Sequence, residues 1–120
     1  MLNLDTNILL ATFNNELNAR EQDLIRAGSL AISDIVLWEL AKLVQLRRIS
    51  LDFDGSIFRR AMRQITVYPI TLQIARKSAD LDFRSDPADE IIAATSVVEK
   101  IPLLTRDRKI LKSQMTPLAK

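Results

Sequence analysis

The segment MLNLDTNILL (residues 1–10) places three polar residues inside an apolar stretch. Leucine and isoleucine surround Asp5, Thr6 and Asn7 on both sides, as in a buried strand followed by a helix. Burying an unpaired carboxylate is costly, so the position of Asp5 needs a reason. The simplest reason is that Asp5 is the N-cap of a helix that begins at about Thr6, after a short strand at 2–4.

The composition restricts the chemistry that the rest of the chain can offer. Its 120 residues fit a single domain, 1–120, and it contains no cysteine and no histidine. Disulfides, thiolate zinc sites, imidazole-ligated metals and catalytic triads that depend on histidine are therefore excluded. Catalysis would have to use carboxylates, lysine, hydroxyls or a hard cation such as magnesium or manganese.

Charge and hydropathy bear on partners and location. The formal charge is +2 and the pI is near 9.2, which is compatible with a polyanionic partner without requiring one. The first residues carry neither a basic start nor a sustained apolar run, so no signal peptide is expected. No apolar stretch approaches the roughly 18 residues of a membrane span, and the expected location is cytoplasmic, away from membranes.

Short apolar segments alternate with helical patterns along the whole chain. Strands are predicted at 2–4, 29–33 and 101–105, with a possible strand at 66–70 and a possible edge strand in the tail 114–120. Helices are predicted from about Thr6 and at 18–28 (with Gly28 as the cap), 34–48, 54–65, 71–81, 86–100 and 107–113. This alternation predicts an α/β fold, a three-layer sandwich whose short, mostly parallel central sheet is flanked by helices.

Several acidic residues lie where such a sheet would bind a ligand. Asp5 and Asp107 each follow an apolar strand, and the carboxyl ends of parallel strands meet at one edge. Asp86 and Asp89 open the helix that leads into the last of these strands, Asp86 as its N-cap and Asp89 on the packed face. Each could simply cap a helix; together they predict a cluster of carboxylates at one edge.

Glu39 and its helix allow two interpretations each. Glu39 lies among aliphatic neighbours, with Lys42 as the one polar residue within reach, so it either forms a surface ion pair or joins the acidic cluster. The same helix is apolar around much of its circumference. Trp38, Leu37 and Leu40 therefore face either a partner protein or a core on both sides.

Three or four converging carboxylates would repel one another and resist ionisation. A divalent cation relieves that repulsion, and magnesium prefers carboxylate oxygens together with retained waters. One or two such ions can promote hydrolysis of a phosphodiester.

The motifs LDTNILL, WEL, DPADEIIAATS and LLTRDRKI, in this order, resemble the PIN domain and, within it, the VapC-type toxins of toxin–antitoxin pairs. The resemblance implies an acidic quartet that binds magnesium or manganese and carries catalysis: Asp5, Glu39, Asp89 and Asp107. It implies that three further residues support this site: Thr6, Asn7 and Asp86. It also implies a metal-dependent endoribonuclease that acts on RNA, is silenced by a small antitoxin and usually forms a homodimer.

The resulting hypothesis is hydrolysis of RNA at this quartet. Arg106 and Arg108 adjoin Asp107 and are weak candidates for substrate contacts. Other arginines are interpreted as solvated helix faces: Arg47, Arg48, Arg59, Arg60 and Arg63.

Three other classes of protein are weighed against this hypothesis. A DNA-directed or structure-specific nuclease of the same fold remains the main alternative. A phosphatase of the haloacid-dehalogenase kind would need an acid at Asn7. A receiver-like signalling module would need its acceptor aspartate on a middle strand rather than on the first one.

Overall fold

The structure is a computed structural model that describes residues 1–120, with strands and helices alternating along the chain. The elements in order are β1 (Leu2–Leu4), α1 (Thr6–Phe13), α2 (Ala19–Arg26), β2 (Leu30–Ser33), α3 (Ile35–Gln45), α4 (Ser56–Arg63), β3 (Ile65–Tyr68), α5 (Leu72–Ser78), α6 (Pro87–Glu99), β4 (Leu103–Leu104) and α7 (Arg108–Leu111). The predicted α/β architecture, with a central sheet flanked by helices, is confirmed.

The four strands form one entirely parallel sheet in the order β3-β2-β1-β4. In the centre, Asn3 pairs with Ala31 of β2 on one side and with Leu103 of β4 on the other. All four strands therefore end at the same edge, and the residue that follows β1 lies next to the residues that follow β4. The short β1 is buried throughout.

The core joins the sheet to helices α1, α3, α6 and α7. Its buried members are aliphatic: Leu2, Leu4, Ile8, Leu9, Ile32, Val36, Leu40, Ile92, Ala93, Leu103, Leu104 and Ile110. Ala93 and Ala94 are completely buried, and such small side chains allow a helix to pack closely against its neighbours. No helix is both long and apolar enough to span a membrane.

The ends of several helices differ from the predictions because local caps decide them. α3 ends at Gln45 rather than at 48, since Arg47 takes a left-handed conformation (φ 58°). α2 ends at Arg26 with Ala27 as its C-cap, and neither glycine has a positive φ, so the cap predicted at Gly28 is wrong. The tail contributes one bridge, between Leu118 and Leu103, in place of a full edge strand.

The apolar circumference of α3 divides into a buried and an exposed part. Leu40 is fully buried in the core and Leu37 packs partly against it, whereas Trp38 is 55% exposed. The prediction that all three could face a partner is therefore wrong for Leu40. Trp38 alone of the three projects into solvent.

Candidate active site

Asp5 lies directly beyond β1 and is almost fully buried, with 3% of its surface exposed. Its backbone N–H donates to the carbonyl of Leu104 at 3.1 Å, which extends the pairing of β1 with β4 by one residue. Its Oδ1 accepts from the Thr6 N–H at 2.8 Å, and its Oδ2 accepts from the Thr105 hydroxyl at 2.6 Å. Asp5 is therefore both the predicted N-cap of α1 and a buried carboxylate.

The pKa of Asp5 is raised above its ordinary value, chiefly because burial disfavours the charged form. The hydrogen bonds from Thr105 and Thr6 oppose this rise, since they stabilise the carboxylate. The charge of Asp107 raises the pKa further. Asp5 and Asp107 thus interact at the sheet edge where the sequence placed them.

Glu39 is half-buried on α3, and its Oε1 accepts from the Thr6 hydroxyl at 2.5 Å. No ion pair forms between Glu39 and Lys42, whose ammonium donates to Gln45 instead. Burial is the main cause of a raised Glu39 pKa, and repulsion from Asp89, Asp5 and Asp86 adds to it. Glu39 therefore belongs to the acidic cluster and not to a surface pair.

Asp89 projects from the first turn of α6 and is held from outside the helix. The Ser85 hydroxyl donates to its Oδ2 at 2.9 Å, while the Ser85 N–H donates to Glu90 at 3.3 Å. Burial raises the pKa of Asp89 most, followed by repulsion from Asp5, Asp107 and Asp86. Asp86 holds the predicted N-cap position of α6, although its side chain makes no capping hydrogen bond.

Asp107 combines a cap with a position in the cluster. Its Oδ1 accepts from the backbone N–H groups of Lys109 (2.8 Å) and Ile110 (3.2 Å), which caps α7. Its own N–H donates to the Thr105 hydroxyl at 3.0 Å, and that hydroxyl donates in turn to Asp5. One threonine thereby fixes two carboxylates relative to each other.

All four predicted acids, and Asp86 with them, therefore interact at the carboxyl edge of the sheet. Three of the acids accept a hydrogen bond from a neighbouring hydroxyl group, in the pairs Asp5–Thr105, Glu39–Thr6 and Asp89–Ser85. No three acidic side chains are gathered closely enough here to form a complete metal-ligand group. A cation at this edge would have few direct protein ligands, and water would fill its remaining positions, as is usual for magnesium.

Comparison with known proteins identifies the family of this chain. Residues 3–113 match the family model described as PIN domain, and this range includes all four acids. The chain belongs to the PIN domain family. A PIN relative, Ribonuclease VapC22 of Mycobacterium tuberculosis (strain ATCC 25618 / H37Rv), is 32% identical over 95 residues, covering 77% of this chain and 73% of that protein. The predicted likeness to VapC-type PIN proteins is confirmed.

Solved structures share the PIN fold over nearly the whole chain. A toxin–antitoxin complex from Klebsiella pneumoniae contains a chain with a TM-score of 0.71 and 24% identity, covering 93% of this chain and 91% of its own. VapBC2 from Rickettsia felis, bound to a DNA fragment from their promoter, has a TM-score of 0.69 and 18% identity, covering 99% and 98%. At these identities the likeness shows the fold.

PIN membership excludes the receiver-like module, but the reason given from the sequence was wrong. β1 comes first along the chain, yet it lies inside the sheet between β2 and β4, so Asp5 does follow a middle strand. The order of strands in the sheet cannot be inferred from their order in the sequence. The family match decides the question instead.

Arg106 is paired with Glu21, a partner that the sequence did not predict. Its guanidinium forms two hydrogen bonds to the Glu21 carboxylate, at 2.7 and 2.8 Å, and a third to the carbonyl of Glu16. Glu21, on α2, is only 3% exposed and also completes a capping box with Asn18. The pair lowers the pKa of Glu21 and ties Arg106 to α2, so it is not available as the predicted substrate contact. Arg108 is exposed and forms no ion pair.

Two other polar residues lie at β1 or just beyond it, and the sequence predicted a role only for Asn7. Asn7 is exposed and its side chain makes no hydrogen bond, so Thr6, and not Asn7, steadies the acidic cluster. Asn3 is completely buried in β1, where its amide donates to Ser96 at 2.9 Å and to the carbonyl of Ile92 at 3.2 Å. The Ser96 contact fixes α6, and with it Asp89, against the sheet.

Proposed function

We propose that this PIN domain is a divalent-metal-dependent endoribonuclease and the toxin of a toxin–antitoxin pair. The observation that carries the proposal is the meeting of Asp5, Glu39 and Asp89 from three separate elements at one sheet edge. Burial is the main cause of a raised pKa in each of them, and repulsion from neighbouring carboxylates, Asp107 and Asp86 among them, adds to it. A cation bound at this edge would relieve the repulsion among these carboxylates, so the group fits a metal-binding function.

The donors at this edge fit magnesium or manganese. They are carboxylate and hydroxyl oxygens, with no nitrogen or sulfur ligand, which is the set that hard cations prefer. Asp5 and Asp89 would be the principal ligands, and Asp107 would act through water or toward a second ion. When bound, such a cation lowers the pKa of a water and neutralises charge on the phosphoryl oxygens.

The side chains themselves supply the proton acceptor and its positioning. In the hydrolysis, a water oxygen bonds to phosphorus and gives up a proton, the bond from phosphorus to the leaving oxygen breaks, and the leaving oxygen takes up a proton from solvent. Glu39 is the proposed acceptor, because Asp5, Asp89 and Asp107 are assigned to the metal and the raised pKa of Glu39 favours proton uptake. The Thr6 hydroxyl holds Glu39 in orientation, and Ser85 does the same for Asp89.

Substrate and partners are proposed from the relatives. RNA is the substrate of choice because the 32% identical relative is named a ribonuclease. A small antitoxin is the proposed partner because a structural neighbour was solved as a toxin–antitoxin complex. A homodimer stays a prediction, to be measured by light scattering after size exclusion. Arg108, exposed beside Asp107, is the proposed contact for the phosphate nearest the cut.

The test is cleavage of total RNA and of a labelled single-stranded RNA. We expect cutting with magnesium or manganese, none with excess EDTA, and a loss of at least about 100-fold in rate for Asp5→Asn or Asp89→Asn, since each removes a metal ligand. Asp23→Asn, an exposed position on α2 without a side-chain hydrogen bond, is the matched control and should remain active. Activity that survives both EDTA and Asp5→Asn would refute the proposal.

The same assay addresses the DNA-directed alternative. Single-stranded and duplex DNA of the same sequence are offered in parallel with the RNA. We expect cleavage of RNA alone. Preferential cleavage of either DNA would show that DNA, and not RNA, is the substrate.

A further inference from the structure

One face of α4 consists of arginine. Ser56, Arg59, Arg60 and Arg63 follow the spacing i, i+3, i+4 and i+7, which places them side by side along a helix, and all four are exposed. They are the sole lining of a shallow cavity of about 150 Å³. On the opposite face Phe58 and its neighbours pack partly against the core, so the helix is fixed in place with its arginines outward.

These arginines have no acidic partner. The chain forms two ion pairs, Lys77–Asp80 and Arg106–Glu21, and neither involves α4. Five arginines and two aspartates lie between residues 47 and 63, giving this segment a charge of +3. Because the whole chain carries +2, the remainder carries −1. The positive excess of the molecule is thus concentrated around α4.

Without bound cations, the candidate active site attracts a polyanion only weakly. Its five carboxylates repel phosphate until cations neutralise them, and Arg106 is already occupied by Glu21. Binding free energy for a nucleic acid must therefore come largely from another surface, because phosphate contacts dominate such affinity.

α4 is connected to the active site by aromatic packing. The rings of Phe58 and Phe13 lie 5.7 Å apart, and Phe13 is the last residue of α1. The first residue of α1 is Thr6, which holds Glu39. A rise of 1.5 Å per residue makes α1 about 11 Å long between Thr6 and Phe13. The acidic cluster and α4 therefore contact opposite ends of α1, and a single strand of RNA that follows α1 would meet both.

We propose that the arginine face of α4 (Arg59, Arg60 and Arg63) binds phosphates of the RNA substrate several nucleotides from the site of cleavage. The inference rests on the proposed ribonuclease function and adds the surface that provides affinity. Arginine suits this role because its planar guanidinium pairs bidentately with phosphate and stacks on unpaired bases. The sequence-based interpretation of these residues as a solvated face is revised, because their spacing, shared cavity and lack of partners distinguish them from scattered surface charge.

The experiment measures binding and cleavage separately. Binding of a fluorescent single-stranded RNA is followed by anisotropy in EDTA, where no cutting occurs, at several salt concentrations. Against wild type, the triple variant Arg59→Gln/Arg60→Gln/Arg63→Gln should bind at least about tenfold more weakly at low salt. Losing three phosphate contacts should lower the slope of log K against log salt by about 2. With magnesium, KM should rise while kcat stays unchanged.

A control variant separates this surface from overall charge. Arg26→Gln/Arg76→Gln/Arg84→Gln removes the same charge from exposed positions that make no side-chain hydrogen bond, and it should bind nearly as wild type does. Circular dichroism and thermal unfolding check that both variants fold. Equal losses in the two triple variants, or an unchanged salt slope for the α4 variant, would overturn the inference. So would loss of binding to duplex DNA with RNA binding intact.

The failures of the two proposals are distinguishable. If wild type cuts RNA with magnesium and the α4 variant has wild-type affinity, the arginine face is refuted while the ribonuclease stands. If wild type neither binds nor cuts RNA, the proposed ribonuclease function is itself refuted.

Discussion

Thr105 and Asp5, one hundred positions apart in the chain, are joined by a hydrogen bond of 2.6 Å from the threonine hydroxyl to the carboxylate. The same hydroxyl accepts from the Asp107 N–H at 3.0 Å. A single side chain thus connects the ends of β1 and β4 and sets the spacing of two acids. Both threonine and carboxylate are buried, so neither can exchange its partner for bulk water.

Thr105→Val should weaken folding and shift the pH profile of activity. It leaves the Asp5 carboxylate without its hydroxyl donor, which we expect to cost about 2 kcal/mol in the free energy of unfolding measured with urea. Because that hydrogen bond lowers the pKa of Asp5, its loss raises this pKa further and moves the acid limb of the rate profile to higher pH. Thr105→Ser keeps the hydroxyl and should restore both properties; a valine variant with an unshifted acid limb would contradict this account.

Arg106→Gln should destabilise the fold in a pH-dependent way. Glu21 lies just below the surface and loses its bidentate partner, for which we expect about 2 kcal/mol at pH 7. The ion pair lowers the pKa of Glu21, so its stabilisation is present above the ordinary value of 4.5 and is lost as pH falls through the lowered pKa. The free energy of unfolding of Arg106→Gln, measured with urea, should therefore differ from that of wild type by a large amount at pH 7 and by a small amount near pH 3.

Arg108→Gln is the control for this measurement. Arg108 is exposed, lies two positions away and has no ion pair, so its replacement should change stability by less than about 0.5 kcal/mol at either pH. Equal effects of the two substitutions would show that the Glu21 pair does not stabilise the fold.

Asp89→Asn should stabilise the metal-free protein at neutral pH. The folded chain raises the pKa of Asp89 above 3.8, so its ionisation costs stability as pH rises from 3.8 through the raised pKa. Removing that charge should add about 1 kcal/mol at pH 7 in EDTA. The gain should vanish near pH 3, where the wild-type carboxyl is protonated. A variant that is less stable than wild type at pH 7 would show that burial and repulsion of the charged Asp89 cost less than its hydrogen bond from Ser85 contributes.

Magnesium or manganese should raise the melting temperature of the wild-type protein. A ligand that binds only the folded state, at a hundredfold excess over its Kd, stabilises it by about 2.7 kcal/mol. Differential scanning fluorimetry should show this shift in wild type and in Asp23→Asn, and lose it in Asp5→Asn. An equal shift in all three proteins would place the bound cation outside the candidate site.

The parts of the fold that could be predicted from sequence are those that local patterns specify. The position of each strand followed from short apolar runs, and parallel pairing then placed Asp5 and Asp107 at one edge, as observed. The sequence left open whether Glu39 forms a surface ion pair or joins the acidic cluster, because a carboxylate among aliphatic neighbours is compatible with both. Its contact with Thr6, 33 positions earlier, resolves the choice.

The parts that could not be predicted depend on contacts between distant residues. Glu21 is an acid in the first turn of α2, and no local pattern connects it with Arg106, 85 positions later. Ser85 donates to Asp89 from a loop whose path the sequence does not specify. The interior position of β1 depends on which strands pair, and that is decided by the packing of the whole chain.

The pairing of β1 with β4 has a consequence for synthesis of the chain. Asn3 and Leu103 are adjacent in the sheet, so β1 can complete its hydrogen bonds only after the segment that contains Leu103 has been synthesised and has left the ribosome. Contacts of such high sequence separation also slow folding, because a long loop must close before they form. A nascent or truncated chain that lacks β4 therefore cannot bring Asp5 and Asp107 together in the acidic cluster.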